Sequence, residues 1–335
     1  MKNIYCTLFN KAYLVKGLAL HSSMRRNIPD FHLYILAMDE CTETALNSLK
    51  LDRVTVISIN SVIDEHLEKV LGNRPGPAFF WTCTPLIIEY VLTDLNEEWC
   101  TYVDADCYFF GDPGKVFDVI GDRGCSVGIV EHRFRKDGSY YDHVESDGRF
   151  NVAFNVFRNE ENSLSILREW KEQCILQCTN KPTGGYFGDQ LYLNEWPDKY
   201  RGVYIIENDG IDVAPWNVNN YRVIHKEGSY RIENSSVDEK IIMYHFHTLN
   251  HVSGHIVSLN LWNTKRRSEI KDLLLLYREY IDECNKQQAI ASKYMSLTKE
   301  GSGGSLPDRI KGFYLKYRNR KENSLIQILR NIMWV

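Results

Sequence analysis

The chain has 335 residues, 44% of them hydrophobic and 25% charged, an ordinary globular composition able to bury a core without disulfide or metal staples. A formal net charge of −4 argues against a nucleic-acid partner. The longest purely aliphatic run, Leu273 to Leu276, is far short of the ~20 apolar residues a membrane-spanning helix needs.

Ile4 to Phe9 reads as a buried strand, entered directly after Met1-Lys2-Asn3. That start predicts a protein without a secretory signal, cytoplasmic, with its nine cysteines reduced. Leu14 to Met24 carries helical spacing, Phe31 to Met38 returns to strand, and Thr42 to Leu49 is helical. Val54 to Ile59 is a β-branched run, Val62 to Leu71 is helical again, and Phe79 to Leu92 is a further helix leading to the strand Cys100 to Val103. Strands separated by helices of this length imply βαβ units and a mostly parallel sheet. A Gly-x-Gly-x-x-Gly fingerprint is missing, which counts against a dinucleotide-binding enzyme.

The second half is less regular. Its expected strands are Asn151 to Arg158, Val203 to Glu207 and Ile241 to His247, followed by a long helix from Lys265 to Ser296. Cys174 and Cys178 stand at i,i+4 spacing with no His partner nearby, and read as buried core thiols. Gly301 to Ser305 has linker composition. Beyond it, Ile310, Phe313, Tyr314 and Tyr317, then Leu325, Ile328, Leu329 and Ile332, fall at helical spacing among seven Lys and Arg. These residues predict a basic amphipathic tail over 306–335 that lies on anionic lipid at the inner face of the cell membrane, or packs onto the domain or a second subunit. The expected division is an α/β domain over 1–262, a helical extension over 263–300, and a linker and tail over 301–335.

Val103-Asp104-Ala105-Asp106 carries the chemistry. Two carboxylates at i,i+2 follow an apolar strand at the carboxyl edge of a sheet, where open α/β folds bind ligands. In extended backbone they share a face and can hold a divalent cation that bridges a diphosphate and stabilises a departing negative charge. Such a pair is common elsewhere as a cap or turn, so its place after a fourth strand matters.

At this point the sequence resembles the GT-A glycosyltransferases, in particular the retaining galactosyltransferase and glycogenin-like family and transferases encoded with bacterial surface polysaccharides. The resemblance spans roughly residues 4 to 250. It implies a Rossmann-like mixed sheet flanked by helices, and a metal-dependent transfer of a sugar from a nucleotide-diphosphate donor, UDP-linked and with retention, to a saccharide or lipid-linked saccharide acceptor. Tyr5 to Tyr13 is similar to the family's nucleotide-binding loop, with Thr7, Asn10 and Tyr13 near base and ribose. Phe150-Asn151-Val152-Ala153 is similar to the block whose Asn contacts the donor sugar. Asp189-Gln190-Leu191-Tyr192-Leu193-Asn194 resembles the block whose Asp binds sugar hydroxyls and whose Gln lies near the anomeric carbon. Tyr244-His245-Phe246-His247 stands where the family places a His that joins the two Asp on the metal, and either imidazole could do so. One His with two carboxylates suits Mn²⁺ or Mg²⁺, the imidazole favouring Mn²⁺.

Two departures stand out. Thr84 occupies the place of an Arg that the family carries near the donor phosphate, and 248–254 offers no lysine where the family has Lys-Pro-Trp. Arg133, Arg135 and Lys226 are the candidate substitutes. Asp209, Asp212 and Glu131 are the candidates for a base if the enzyme inverts; with retention, the leaving phosphate can take the acceptor proton itself. Trp81, Phe79, Phe80, Tyr140, Tyr141, Tyr186, Trp196 and Trp216 could stack on sugar rings, and Gly184-Gly185 suggests a closing loop. The alternatives are a sugar nucleotidyltransferase, which would show a glycine-rich loop after the first strand, and a non-catalytic nucleotide-sugar or saccharide-binding protein.

Overall fold

A computed structural model describes residues 3–63, 67–68, 72, 74, 76–135, 140–181, 187–253, 256–261, 270–294 and 332–334. The centre is a seven-stranded sheet in the order β3-β2-β1-β4-β7-β6-β8. These strands are β1 (Asn3–Phe9), β2 (Phe31–Ala37), β3 (Val54–Ser58), β4 (Trp99–Val103), β6 (Val127–Glu131), β7 (Phe150–Arg158) and β8 (Val203–Ile205). Neighbours pair in parallel except at β7, which runs antiparallel to both β4 and β6. Three successive crossovers put β1 beside β4, and the carboxyl ends of both strands open onto one edge.

Both sheet faces are covered, so the strands read as continuous apolar runs. Tyr5 and Phe9 pack under α1 (Leu14–Asn27) and α2 (Glu40–Leu49). Ile4, Cys6 and Leu8 face α3 (Pro77–Thr93) and α6 (Glu161–Leu176). Asp39 caps α2 by accepting from the Thr42 amide at 2.7 Å, and its other oxygen accepts from the Lys11 amide at 3.0 Å. That one carboxylate ties the loop after β1 to the next helix. Gly17 lets α1 lie close over β1, because a Cβ there would meet the Phe9 ring at 2.3 Å.

A second layer holds α4 (Gly114–Asp122) and α5 (Tyr140–Asp147) beside the sheet, then short α7 (Trp196–Lys199). Pro197 sits in the first turn of α7, where the missing N–H leaves no intrahelical bond unmade. Strands β9 (Arg222–Lys226), β10 (Ser229–Glu233) and β11 (Asp238–Lys240) form an antiparallel meander. The short β5 (Cys107–Phe109) pairs antiparallel with β12 (Met243–His245). Behind that pair lies α8 (Lys271–Ala291), whose Tyr277 and Tyr280 share a buried cluster with Tyr108, Tyr244 and Phe246. The expected helix from Lys265 is described from Lys271, and α6 is a helix that the sequence reading did not anticipate.

Several expectations fall on other residues. Most of Val62 to Leu71, the Gly184-Gly185-Tyr186 loop, and the linker and tail from Gly301 to Asn331 lie outside the described residues. Of the tail, Ile332–Trp334 is described, and it is a strand, β15, paired with β14 (Ile256–Ser258), which itself pairs with β13 (Asn250–Ser253). The helical register expected to include Ile332 therefore does not hold there: hydrogen bonding to a neighbouring strand overrides local spacing.

Candidate active site

The Asp-x-Asp pair converges by a turn. The Cys107 amide donates to the Asp104 carbonyl at 3.0 Å, so residues 104–107 fold back and both carboxylates meet off the end of β4. An extended pleat sharing one face, as expected from the spacing, is not how they come together. β5 then carries the chain antiparallel to β12, in register Cys107↔His245, and the Phe246 amide donates to the Asp106 carbonyl at 2.9 Å. A residue more than a hundred positions downstream is thus delivered to the motif by backbone pairing.

His245 Nε2 lies 3.2 Å from Asp106 Oδ1 and 3.8 Å from Asp104 Oδ2. One ligand atom from each of the three lies within 4.8 Å of the other two, close enough to share one ion. The other ring nitrogen, Nδ1, is 3.4 Å from Asp212 Oδ1, and Asp212 is fully buried. A carboxylate behind a metal-facing imidazole fixes its tautomer and orientation. Strand β12 stops at His245; His247 falls in the following turn, exposed, with its ring 5.5 Å from that of His245. The geometry thus separates the two candidates, bringing His245 to the carboxylates.

Charge is unbalanced at this spot. Burial and the neighbouring Asp106 push Asp104 up to about 6, although His245 opposes the rise. Burial also acts to raise Asp106, but Lys16 and His245 outweigh it and hold that carboxyl well below its ordinary range. Burial acts to lower His245, yet Asp106 and Asp212 carry it up to about 10. Two buried carboxyls, Asp106 and Asp212, hold the imidazole protonated, and half-buried Asp104 adds a third acid beside it; such an excess of acid has the character of a cation site, and the oxygen and imidazole donors fit Mn²⁺ or Mg²⁺.

A cleft of about 630 Å³ opens over this cluster. It is lined by Asn10, Tyr13, Asp104, Asp106, Asn151, Asp189, Gln190, His245 and His247, so all but one of the sequence-predicted site residues are brought together. The exception is Thr7, which is fully buried beneath the cleft and does not line it. The Asn10 side chain accepts from the Ala12 amide at 3.1 Å, holding the turn that presents Tyr13. Asn151 Oδ1 accepts from the Ala153 amide at 2.7 Å, and its Nδ2 donates to His132 Nε2 at 3.0 Å. Burial lowers His132 to about 3, so its imidazole is neutral and can accept that bond. Burial and the nearby Asp104 push Asp189 up to about 8, with Thr84 hydrogen-bonded against the rise. Gln190 Nε2 donates to the Asp147 carbonyl.

The substitutes considered for the lost basic residues lie elsewhere. Arg133 donates to the carbonyls of Asp209, Ile211 and Asp212, clamping the loop that carries Asp212. Arg135 and Lys226 are exposed and do not line the cleft. The three carboxylates considered as an inverting base are also committed: Asp209 to Arg133 at 3.6 Å, Glu131 to Arg149 at 2.6 Å, and Asp212 to His245. The cleft instead contains Asp147, which sequence reasoning missed. Its Oδ2 accepts from Ser146 at 2.9 Å and faces His143 at 3.4 Å. Missed too were His132 and Lys16; nothing in their local sequence marks them, since their partners lie 19 and 90 positions away.

The cleft walls are partly aromatic. Phe80, Trp81 and Phe187 line one side of the cleft, and buried Phe134 and Trp216 line it around His132, whereas Trp196 is core and Phe79 packs against the core. The side chains of Tyr140, Tyr141 and Tyr186 lie outside the described residues. Trp216 is held within a turn, where Asn217 accepts from the Ala214 amide and donates to the carbonyls of His132 and Asp212.

No protein-family model matches the chain. It is 32% identical over 268 residues to YfnF, an uncharacterized protein of Bacillus subtilis (strain 168), covering 78% of this chain and 84% of YfnF. To YfnD of the same organism it is 27% identical over 281 residues, covering 83% and 87%. Among solved structures, the galactosyltransferase LgtC in complex with donor and acceptor sugar analogs aligns with a TM-score of 0.51 at 14% identity, over 89% of this chain and 98% of LgtC. The bifunctional glycosyltransferase WbbM, in its apo form, aligns with a TM-score of 0.51 at 14% identity, over 88% of this chain and 52% of WbbM. Likeness at such identity speaks for architecture, and it agrees with the mixed sheet and flanking helices described above. The chain has the GT-A glycosyltransferase fold and, by its identity to YfnF over most of both lengths, belongs to the YfnF family.

Proposed function

We propose that the chain is a metal-dependent glycosyltransferase that moves a sugar from a nucleotide-diphosphate donor to a saccharide acceptor. The observation that carries this reading is the convergence of Asp104, Asp106 and His245 on one point at the floor of a cleft that also holds Asn10, Tyr13, Asn151, Asp189 and Gln190. A bound Mn²⁺ or Mg²⁺ would supply Lewis-acid stabilisation of the leaving diphosphate. Tyr13 and Asn10 hold the nucleoside at the end of β1, while Asn151 and Asp189 orient the transferred sugar through its hydroxyls. Gln190 commits its amide nitrogen to the Asp147 carbonyl, which fixes its side chain beside the reacting centre. Trp81 and Phe187 offer an apolar wall to the acceptor ring, and the Asp147 carboxylate offers an acceptor for a sugar hydroxyl there.

The absence of an uncommitted carboxylate among the three base candidates favours retention, with the leaving phosphate taking the acceptor proton. A UDP-sugar donor, Mn²⁺ as the metal, a role in bacterial surface polysaccharide synthesis, and a cytoplasmic protein whose tail over 306–335 touches the membrane complete the reading. So does the division at 262 and 300. No helix among the described residues is long and apolar enough to cross a membrane.

The test is donor turnover. Purified protein is incubated with a panel of nucleotide sugars, with Mn²⁺, with Mg²⁺ or with EDTA, and free sugar is measured. Slow metal-dependent hydrolysis of one donor, accompanied by a thermal shift with that donor, is expected. Neither hydrolysis nor a shift with any donor would overturn the reading.

A further inference from the structure

A diphosphate arriving at this site meets a shortage of positive charge. The two basic positions of the resembled family are Thr84 and a lysine-free 248–254, and among the described residues lining the cleft there is no Lys or Arg. Arg133, Arg135 and Lys226 are engaged or exposed elsewhere. Among the described residues, Lys16 brings an ammonium to the carboxylates, from α1, three residues after Tyr13. Its Nζ stands 3.4 Å from Asp106 Oδ2 and 4.3 Å over the Tyr13 ring, with the side chain 17% exposed. The two oxygens of Asp106 are thus divided, Oδ2 to Lys16 and Oδ1 to His245.

Resting on the proposed function, we infer that Lys16 is an exchangeable counter-ion. It compensates Asp106 while no divalent cation is bound, and turns to the donor diphosphate once one is. The reasoning is electrostatic. A divalent ion on Asp106 repels an ammonium a few ångströms away, and Coulomb interactions near a protein surface are large at that distance. Lysine carries a point charge on a flexible four-carbon stem, so it can change partners without moving the helix. A diphosphate held by the ion at Asp106 would come within reach of that stem, which already spans from Tyr13 to Asp106.

The inference predicts effects of opposite sign for one substitution. Mn²⁺ affinity is measured by calorimetry for the wild type, Lys16→Met and Lys16→Arg, with thermal unfolding as the check on folding. Affinity for UDP, GDP, CDP, ADP and dTDP is then measured at saturating Mn²⁺. Lys16→Met should bind Mn²⁺ alone at least fivefold more tightly, because a competing charge is gone. It should bind the best nucleotide of the five at least tenfold more weakly, with Lys16→Arg near the wild type on both counts. Damage to the site would weaken Mn²⁺ binding, so unchanged or weaker Mn²⁺ affinity in a folded Lys16→Met overturns the inference while the proposed function stands. Tighter Mn²⁺ binding with unchanged nucleotide affinity overturns the transfer to the diphosphate. A wild type that binds Mn²⁺ but none of the five nucleotides overturns the donor assignment, and one that binds neither Mn²⁺ nor Mg²⁺ overturns both readings.

Discussion

The two ends of the cleft are built by different means. At the charged end each functional side chain is fixed from behind: Asp104 accepts from the Tyr102 hydroxyl at 2.9 Å, Asp106 is shared by Lys16 and His245, and His245 backs onto Asp212. At the aromatic end Trp81 meets Phe187 edge-on at 5.7 Å, and Gly188 at φ 58° brings the backbone against the indole. Ionic and coordinate bonds depend steeply on distance and direction, so their geometry must be over-determined. Ring stacking tolerates sliding, so a few apolar contacts suffice there. The charged end should therefore respond to substitution severely, and the aromatic end mildly.

The largest effect belongs to Asp106→Asn. Removing a charge that both divides two partners and faces the ion should reduce metal-dependent donor hydrolysis on the order of 10³-fold, with Mn²⁺ affinity falling in parallel. Wild-type Mn²⁺ binding by this variant would remove Asp106 from the ion's coordination. Asp212→Asn comes next. It lies outside the cluster that would hold an ion, and loss of such a backing carboxylate typically costs about 10- to 100-fold in metal affinity. A change of less than about twofold would reduce Asp212 to a buried group that merely neighbours His245.

Asp212 also marks where sequence reading stops. The strands of the first half were legible to within a few residues, because their two-sided burial leaves uninterrupted apolar runs ending at turn residues. The Asp-x-Asp motif, Asn151, Asp189 and Gln190 were legible as blocks in order. What escaped were roles that exist only through distant pairing: Lys16 with Asp106, His132 with Asn151, and Asp212, considered only as a base, with His245. The choice between His245 and His247 needed the register of β12 on β5, which three-residue strands do not advertise. Thr7 was misplaced for a related reason. On a strand covered on both faces, a short polar side chain can face inward under the site as readily as towards it.

A third prediction concerns stability in the metal-free protein. Asp189 ionises near its ordinary 3.8 when unfolded and at about 8 when folded, chiefly because burial disfavours the charge. Between those values the folded state holds the extra proton, so this group costs stability progressively as pH rises from 3.8 to about 8, and constantly above. Asp189→Asn removes that cost. In EDTA its thermal midpoint should exceed the wild type's at pH 9, with the difference closing as pH falls towards 4. A midpoint below the wild type's at pH 9 would mean the ionised carboxylate is stabilised by contacts that the geometry does not contain.

The smallest effects should separate the two aromatic walls. Trp81 packs on Phe187 and Gly188, whereas Trp216 packs edge-on against His245 at 5.3 Å and His247 at 5.5 Å. An aromatic contact contributes roughly 0.5–1.5 kcal/mol beyond its buried area, about two- to tenfold in affinity. Trp81→Ala should then raise the KM for a saccharide acceptor within that range and leave donor hydrolysis within about twofold of the wild type. Trp216→Ala removes a wall of the metal-facing imidazole, so it should lower donor hydrolysis and Mn²⁺ affinity as well. Trp81→Phe tests the cause: a ring that stacks restores most of the acceptor KM, whereas one that serves only to prop Phe187 does not. If Trp81→Ala depressed donor hydrolysis as strongly as Trp216→Ala, the two parts of the cleft would be mechanically one, and the contrast between a pinned charged cluster and a forgiving aromatic wall would fail.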